Sequence, residues 1–278
     1  MPYRARPPTR VHVAARTDVG RCRVHNEDNF RVGVIGSDDV LAPVPATAES
    51  HEISAHLAAP GFVLGVYDGC GGWEAATPGS VASATAAEVV HAELCGTCAP
   101  APADVPARLA TAVEEAGRRI WAAAESDPSW RGGTTATVAV LFGRRLEVAQ
   151  VGDSRAYRLD GTGLRRLTRD DTLLNNLLDK GQLSPEEAAS FPHDNVITKA
   201  LGLLERTVPT VTSTEVEPGD RLFLCTDGVS RSIDDGELAS LLRQHREPDA
   251  CCRAIVEAVY RAGAPDNLTM IVVDVLGT

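Results

Sequence analysis

A chain of 278 residues, 44% of them hydrophobic, is long enough to bury a sizeable core as one large domain or two small ones. With 27 Lys and Arg against 38 Asp and Glu, the net charge of −11 argues against nucleic acid or an anionic membrane as the main partner and suits cation binding. No apolar run reaches the roughly 18 residues of a membrane span, the start MPYRARPPTR lacks the apolar centre of a signal peptide, and seven cysteines without a small-domain framework read as reduced thiols, so a cytoplasmic protein is expected.

Residues 1–10 read as a flexible lead-in. VHVAAR (11–16) alternates as a strand does, FRVGVI (30–35) follows an acidic turn, and FVLGVY (62–67) is a compact, nearly continuous apolar run. Between the last two, residues 36–60, rich in Ala, Pro, Ser and Asp, read as an exposed loop. Residues 78–94 and 105–124 are Ala-rich with apolar residues at helical spacing, and the breaker CAPAPADVP between them predicts a helical hairpin. TTATVAVLF, RLEVAQVG, RAYRLD and GLRRLT follow, each closed by Gly, Asp or a charged pair, as in an antiparallel meander. Residues 169–192 are polar and expected to be mobile, with short helices, one starting at the cap in SPEE. The strands TVTSTEV and DRLFLCT precede helices near 235–245 and 248–262, and NLTMIVVDV ends the chain. No internal repeat and no linker divides the core, so a single α+β domain over 11–278 is expected.

The stretch VYDGCGGWEAA sets a lone acid, Asp68, between an apolar run and several glycines. The pattern recurs: Asp153-Ser154 follows LEVAQVG, Asp227-Gly228 follows RLFLCT, and Asp266-Asn267 precedes the last strand. Any one Asp-Gly is ordinary turn chemistry. Four acids at strand ends, brought to one rim of a sheet, would repel one another unless a cation lay between them, and oxygen ligands of this kind suit Mg²⁺ or Mn²⁺. The glycines after Asp68 let the backbone turn and expose the Gly69 carbonyl as a further ligand. Near the start, TDVGRCRVHNEDNF places Arg23, Glu27 and Asp28 in a loop between two strands; the arginine fork matches phosphate oxygens and the carboxylates can complete a metal shell.

Taken in order, RVHNEDNF, YDGCGGW, GGTTATVAV, VGDSRAYRL, the flap-like segment with NVITKALG, LCTDGVS and PDNLTMIVV make the chain, from about residue 15 onward, resemble a metal-dependent (type 2C, PPM) serine/threonine protein phosphatase of the bacterial kind. The resemblance implies a sandwich of two antiparallel β-sheets flanked by pairs of antiparallel helices (αββα), with two Mn²⁺ or Mg²⁺ ions at one edge. Asp68 would bridge the ions, with the Gly69 carbonyl on one of them. Asp227 and Asp266 would hold the first ion, and Glu27 or Asp28 would support the second directly or through water. Asp153 would serve a weaker third site, and Arg23 would bind the phosphate, so that Arg23 and Asp68 are the catalytic pair. Two cations roughly 3.5–4 Å apart lower the pKa of a bridging water, and the resulting hydroxide attacks phosphorus in line without a phosphoenzyme. Phosphoserine and phosphothreonine proteins are the implied substrates, an opposing serine/threonine kinase the implied pathway partner, and a monomer the implied state.

Departures from the family pattern qualify this. Trp73 stands where the family commonly carries a histidine placed to assist the departing alcohol, and general acid catalysis is worth about 10²–10⁴ in rate. Arg231 stands where an aspartate is often found, so a third cation should bind poorly, or the arginine partly replaces its charge. RDDTLL in the flap replaces a commoner pattern with histidine. An active but atypical phosphatase is expected, the alternative being a weakly active pseudophosphatase that binds phosphoproteins as a regulatory module. Elsewhere, His51 and His56 in HEISAH are one residue too far apart for a zinc helix, and Cys95 and Cys98 in CGTC, with His91, lack a second ligand pair for zinc. One thiol of Cys251-Cys252 is expected to face the core, Trp121 and Trp130 read as packing residues, and GGTTATVAV lacks the lysine of a phosphate loop and reads as the start of a strand.

Overall fold

A computed structural model describes residues 8–37, 40–41, 50–71, 78–96, 103–127, 132–188 and 190–277. Trp73, Cys98 and Trp130, singled out above, lie outside the described residues.

Two antiparallel sheets face each other. The first contains, in spatial order, β10 (Gly163–Arg166), β9 (Arg155–Asp160), β12 (Arg221–Cys225), β13 (Leu268–Gly277), β1 (Thr9–Asp18) and β4 (Ser50–Ala59). The second runs β11 (Thr210–Glu215), β8 (Arg145–Val151), β7 (Ala136–Phe142), β5 (Gly61–Cys70), β2 (Asp28–Val34) and β3 (Val40–Leu41), with the short β6 (Gly133–Thr134) beside the end of β5. Helices α1 (Pro78–Cys95) and α2 (Val105–Ser126) cover the second sheet, and α6 (Asp235–Gln244) and α7 (Pro248–Arg261) cover the first. This is the expected αββα sandwich.

The layering explains why FVLGVY is almost continuously apolar. Along β5 the side chains alternate between two buried faces: Phe62, Leu64 and Val66 join the core between the sheets, while Val63 and Tyr67 pack under α1 and α2. β13 behaves likewise, with Ile271, Val273 and Val275 in the central core and Leu268, Met270 and Val272 beneath α7.

Several expectations need correction. Residues 36–60 are not a plain loop, because Ser50–Ala59 form β4, paired along its whole length with β1 from Thr9↔Ala59 to Asp18↔Ser50. Ile53, Ala55, Leu57 and Ala59 alternate toward the central core, a period masked by small residues on an edge strand. That pairing also places Thr9 and Arg10, expected in the flexible lead-in, within β1. The four strands from Ala136 to Arg166 are not one meander but two hairpins in different sheets, β7–β8 and β9–β10. The chain changes sheets at Gly152-Asp153-Ser154, where Gly152 adopts φ 96°, a conformation that favours glycine. Both Cys251 and Cys252 are buried, since α7 is packed from more than one side. At Ser184 the expected cap is present in both directions: the Ser184 N–H donates to Glu187 Oε2 at 2.8 Å and the Glu187 N–H to Ser184 Oγ at 3.2 Å. It opens α4 (Pro185–Ala188), which follows α3 (Leu173–Asp179).

Candidate metal centre

Antiparallel pairing brings the acids to one rim. Asp28 begins β2 directly opposite Asp68 on β5, and residues opposite each other across two strands share a face. β12 and β13 are neighbours, so Asp227, just past the end of β12, and Asp266, just before the start of β13, meet at the same end of the sandwich. Thr226 occupies the N-cap position of the short helix α5 (Asp227–Ser230) that carries Asp227, without a side-chain capping hydrogen bond. Gly228 permits the closest approach, since a Cβ there would overlap the Asn267 carbonyl oxygen.

A cleft of about 500 Å³ results, lined by Arg23, Glu27, Asp68, Gly69, Asp153, Asp227, Arg231 and Asp266, among others. Sequence positions 23 to 266 thus converge on one hollow. Asp28 does not line it. That carboxylate lies behind, buried, accepting a hydrogen bond from Thr226 Oγ1 at 2.8 Å, while Glu27 faces the cleft.

The surrounding framework is built by residues that sequence reading left as ordinary strand or turn. Asn267, 7% exposed, accepts the Glu27 N–H at 2.9 Å and donates to the carbonyls of Val19 and His25 at 2.9 and 3.0 Å, tying the Arg23–Glu27 loop to the start of β13. Thr135 Oγ1 accepts the Asp68 N–H at 3.0 Å, Thr134 Oγ1 donates to the Asp68 carbonyl at 3.0 Å, and Thr135 Oγ1 pairs with Ser154 Oγ at 2.7 Å. The turns carrying Asp68 and Asp153 are thereby locked together. The side-by-side threonines of GGTTATVAV were the available signal, but nothing local says that they face Asp68.

The electrostatics are those of a crowded, buried anionic site. Burial first, then the neighbouring Asp28, Asp227, Asp153 and Asp266, push the Asp68 carboxyl well above the usual carboxylate range. Burial likewise raises Asp28, with Asp227 and Asp266 adding to it and the Thr226 and Thr269 hydrogen bonds opposing it. Asp227 is raised by burial and Asp266, and pulled back by its hydrogen bond to Asp68 and by Arg231 and Arg23. Asp153 is pushed up to about 7, by burial and then Asp227 and Asp170, against the pull of Arg231. Glu27 is raised by burial. Arg23 stands at the mouth, its Nη2 donating to Asp266 Oδ2 at 2.7 Å.

These observations test whether divalent ions fit. Among the described residues no three His, Cys, Asp or Glu side chains are placed closely enough to hold a metal ion as they stand. The acids are held instead by Arg23, Thr226 and one another. The donor set is oxygen throughout, and mutual repulsion penalises its ionisation, the condition that a hard divalent cation relieves. The residues present therefore fit Mg²⁺ or Mn²⁺. Arg231 borders the same cleft beside Asp153 and Asp227 and reaches Asp194 at 3.6 Å.

The other candidates lie away from this centre. His51 and His56 are on β4 and point to opposite sides of it, His51 toward the Phe30 ring (6.1 Å between centroids) and His56 stacked on His12 (3.8 Å). His91 and Cys95 sit within the helix–sheet core, with Sγ 3.9 Å from Nδ1. The six described cysteines are free thiols, and Trp121 is half-buried on α2.

Residues 61–276 match the family described as Stage II sporulation protein E (SpoIIE). The chain is 34% identical over 268 residues to the serine/threonine protein phosphatase PstP of Mycobacterium tuberculosis, covering 96% of this chain but 45% of that relative's length. It is 30% identical over 266 residues to the serine/threonine phosphatase stp of Listeria welshimeri, covering 95% of this chain and 96% of the relative. The catalytic domain of PstP, solved in complex with two manganese ions, superposes with a TM-score of 0.75 at 31% identity, covering 96% of this chain and all of that one. The chain belongs to the SpoIIE/PPM family of metal-dependent serine/threonine protein phosphatases.

Proposed function

We propose that this protein hydrolyses phosphoserine and phosphothreonine esters in proteins with the help of two Mn²⁺ or Mg²⁺ ions, opposing a serine/threonine kinase in the same cytoplasm. The observation that carries the reading is the meeting of Asp68, Asp153, Asp227 and Asp266 on one cleft with Arg23 at its mouth. Among the described residues no helix is long and apolar enough to cross a membrane.

Asp68, Asp227 and Asp266 would hold the ions with the Gly69 carbonyl, and Glu27 would support them from the cleft side. Asp28, behind them, would position Thr226 and the start of α5. When bound, the ions supply Lewis acidity at the phosphoryl oxygens and a water that ionises near neutral pH. Arg23, whose side chain is half exposed, exchanges Asp266 for the phosphoryl oxygens of the substrate and orients them with its planar fork. Asp153, buried in the cleft wall, lies within the influence of Arg231, which supplies positive charge. The rival route, a cysteine nucleophile, is disfavoured: Cys70 lines the cleft, but burial and then Asp153 and Glu27 push its thiol up to about 11, so little thiolate exists at neutral pH.

The test is Mn²⁺-dependent hydrolysis of an aryl phosphate by wild type, Asp68→Asn and Asp227→Asn, with folding checked by circular dichroism. Folded variants reduced to background support the reading. A wild-type rate no higher than theirs favours the phosphoprotein-binding alternative.

A further inference from the structure

We propose that a second cleft beside the metal centre binds an anionic side chain, phosphorylated or acidic, flanking the phosphoserine or phosphothreonine of the substrate protein. The proposal rests on the phosphatase reading above and names the substrate class of that same site. The second cleft, of about 630 Å³, lies between the β9–β10 hairpin, the approach to α3, and α5, and it shares Asp153, Asp227 and Arg231 with the metal cleft. A peptide whose phosphate reaches the metal centre therefore passes its neighbouring residues along this hollow.

In a protein of net charge −11, four arginines, Arg155, Arg166, Arg169 and Arg231, gather on this one wall, beside Asp153, Asp170, Asp194 and Asp227. Local carboxylates answer these cations incompletely. Arg155 (Nη2 to Oδ2, 2.9 Å) and Arg166 both bond Asp170, so one buried carboxylate serves two guanidiniums. Arg169 pairs with the exposed Asp179, and Arg231 reaches the exposed Asp194 at 3.6 Å. Exposed ion pairs of this kind are weak, and although Asp179 already gives the Arg169 fork two acceptors, a phosphate brings more negative charge to the same fork. These two arginines can therefore exchange their partners for a phosphate at little cost. Ser230 adds a donor: its Oγ is buried at the cleft wall and has no hydrogen-bond partner among the described residues. Of the four acids here, Asp170 and Asp194 are the partners of these arginines, and Asp153 and Asp227 belong to the metal centre, whose ions would offset their charge.

The experiment uses the full chain with Mn²⁺ and peptides of one sequence, each carrying one phosphothreonine and, at a neighbouring position, alanine, glutamate or a second phosphothreonine. A small aryl phosphate that cannot reach the second cleft is measured alongside. The doubly phosphorylated peptide is expected to exceed the alanine peptide roughly tenfold in kcat/KM, chiefly through KM, with glutamate between them. Arg169→Gln should reduce that preference and leave aryl phosphate hydrolysis unchanged. The double variant Arg169→Gln/Arg231→Gln should abolish the preference, and Arg231→Lys should restore part of it. If the wild type hydrolyses the aryl phosphate and the alanine peptide with no preference for the second anion, the subsite is overturned while the phosphatase reading stands. A preference that survives the double variant overturns it equally. Failure to hydrolyse any of these substrates overturns the phosphatase reading and the subsite with it.

Discussion

Replacing Gly228 with alanine puts the assembly of the metal centre to a direct test. A Cβ at Gly228 would overlap the Asn267 carbonyl oxygen and stand 2.9 Å from its carbon and 3.4 Å from the Leu268 Cα. All three are backbone atoms, so no side chain can swing away, and relief requires α5 to separate from the start of β13. Overpacking of this kind costs about 1–3 kcal/mol. At roughly 2–4 °C of melting temperature per kcal/mol in domains of about 150–250 residues, a fall of several degrees is expected. Asp227 and Asp266 are the residues just before the two that collide, so the same displacement should draw them apart. Mn²⁺ should then stabilise the variant less than wild type, measured as the difference in urea midpoint with and without the ion. Gly161→Ala is the control: in the β9–β10 turn its new Cβ meets no heavy atom of the described residues within 4 Å, and a change within about 0.5 kcal/mol is expected. If Gly228→Ala matches Gly161→Ala in both stability and Mn²⁺ response, the contact does not hold the acids together and the reasoning fails.

Three other outcomes are expected. Mn²⁺ at about 100 times its dissociation constant should raise the unfolding free energy by about 2.7 kcal/mol over chelator-treated protein, and Asp68→Asn should lose most of that gain; equal melting curves with Mn²⁺ and with chelator would count against a metal centre. Thr226→Val removes the hydroxyl that donates to Asp28 at 2.8 Å and accepts the Thr269 N–H at 2.9 Å, and should cost about 1–3 kcal/mol in denaturant unfolding of the metal-free protein. His91, a buried residue of α1, has its pKa pulled from 6.5 down to about 3 by burial and then Arg31. The folded state thus keeps His91 neutral where the unfolded chain takes up a proton. Its contribution is fully present above pH 6.5 and is lost as pH falls toward 3, at up to about 1.4 kcal/mol per pH unit. Stability measured between pH 7 and 4 should fall less steeply in His91→Leu than in wild type, and parallel curves would refute the assignment.

The helices and most strands could be read from the chain because their signals are local. The Ala-rich composition of α1, the apolar periodicity of α2, the Ser184–Glu187 cap and the apolar run of β5 each reflect neighbours within a few residues. β4 escaped because an edge strand with small inward residues carries little periodicity and exists through its pairing with β1, some forty positions away. The supposed meander failed for a related reason: turn chemistry reports that the chain reverses at Gly152-Asp153, not that it leaves one sheet for the other.

For the candidate site, the amino-acid sequence alone fixed the inventory: strand-end acids at 68, 153, 227 and 266, an arginine and two carboxylates in an early loop, and the glycines that let backbones approach, since residue type and local turn propensity are encoded position by position. Folding decided their roles in space. It set Glu27 on the cleft and Asp28 behind it, joined Thr134, Thr135, Asn267 and Thr226 to the acids as their supports, and placed a second cleft with four arginines beside them. Those relations depend on the register between strands and on which sheet each strand enters, and both are settled by burial of apolar faces over the whole molecule.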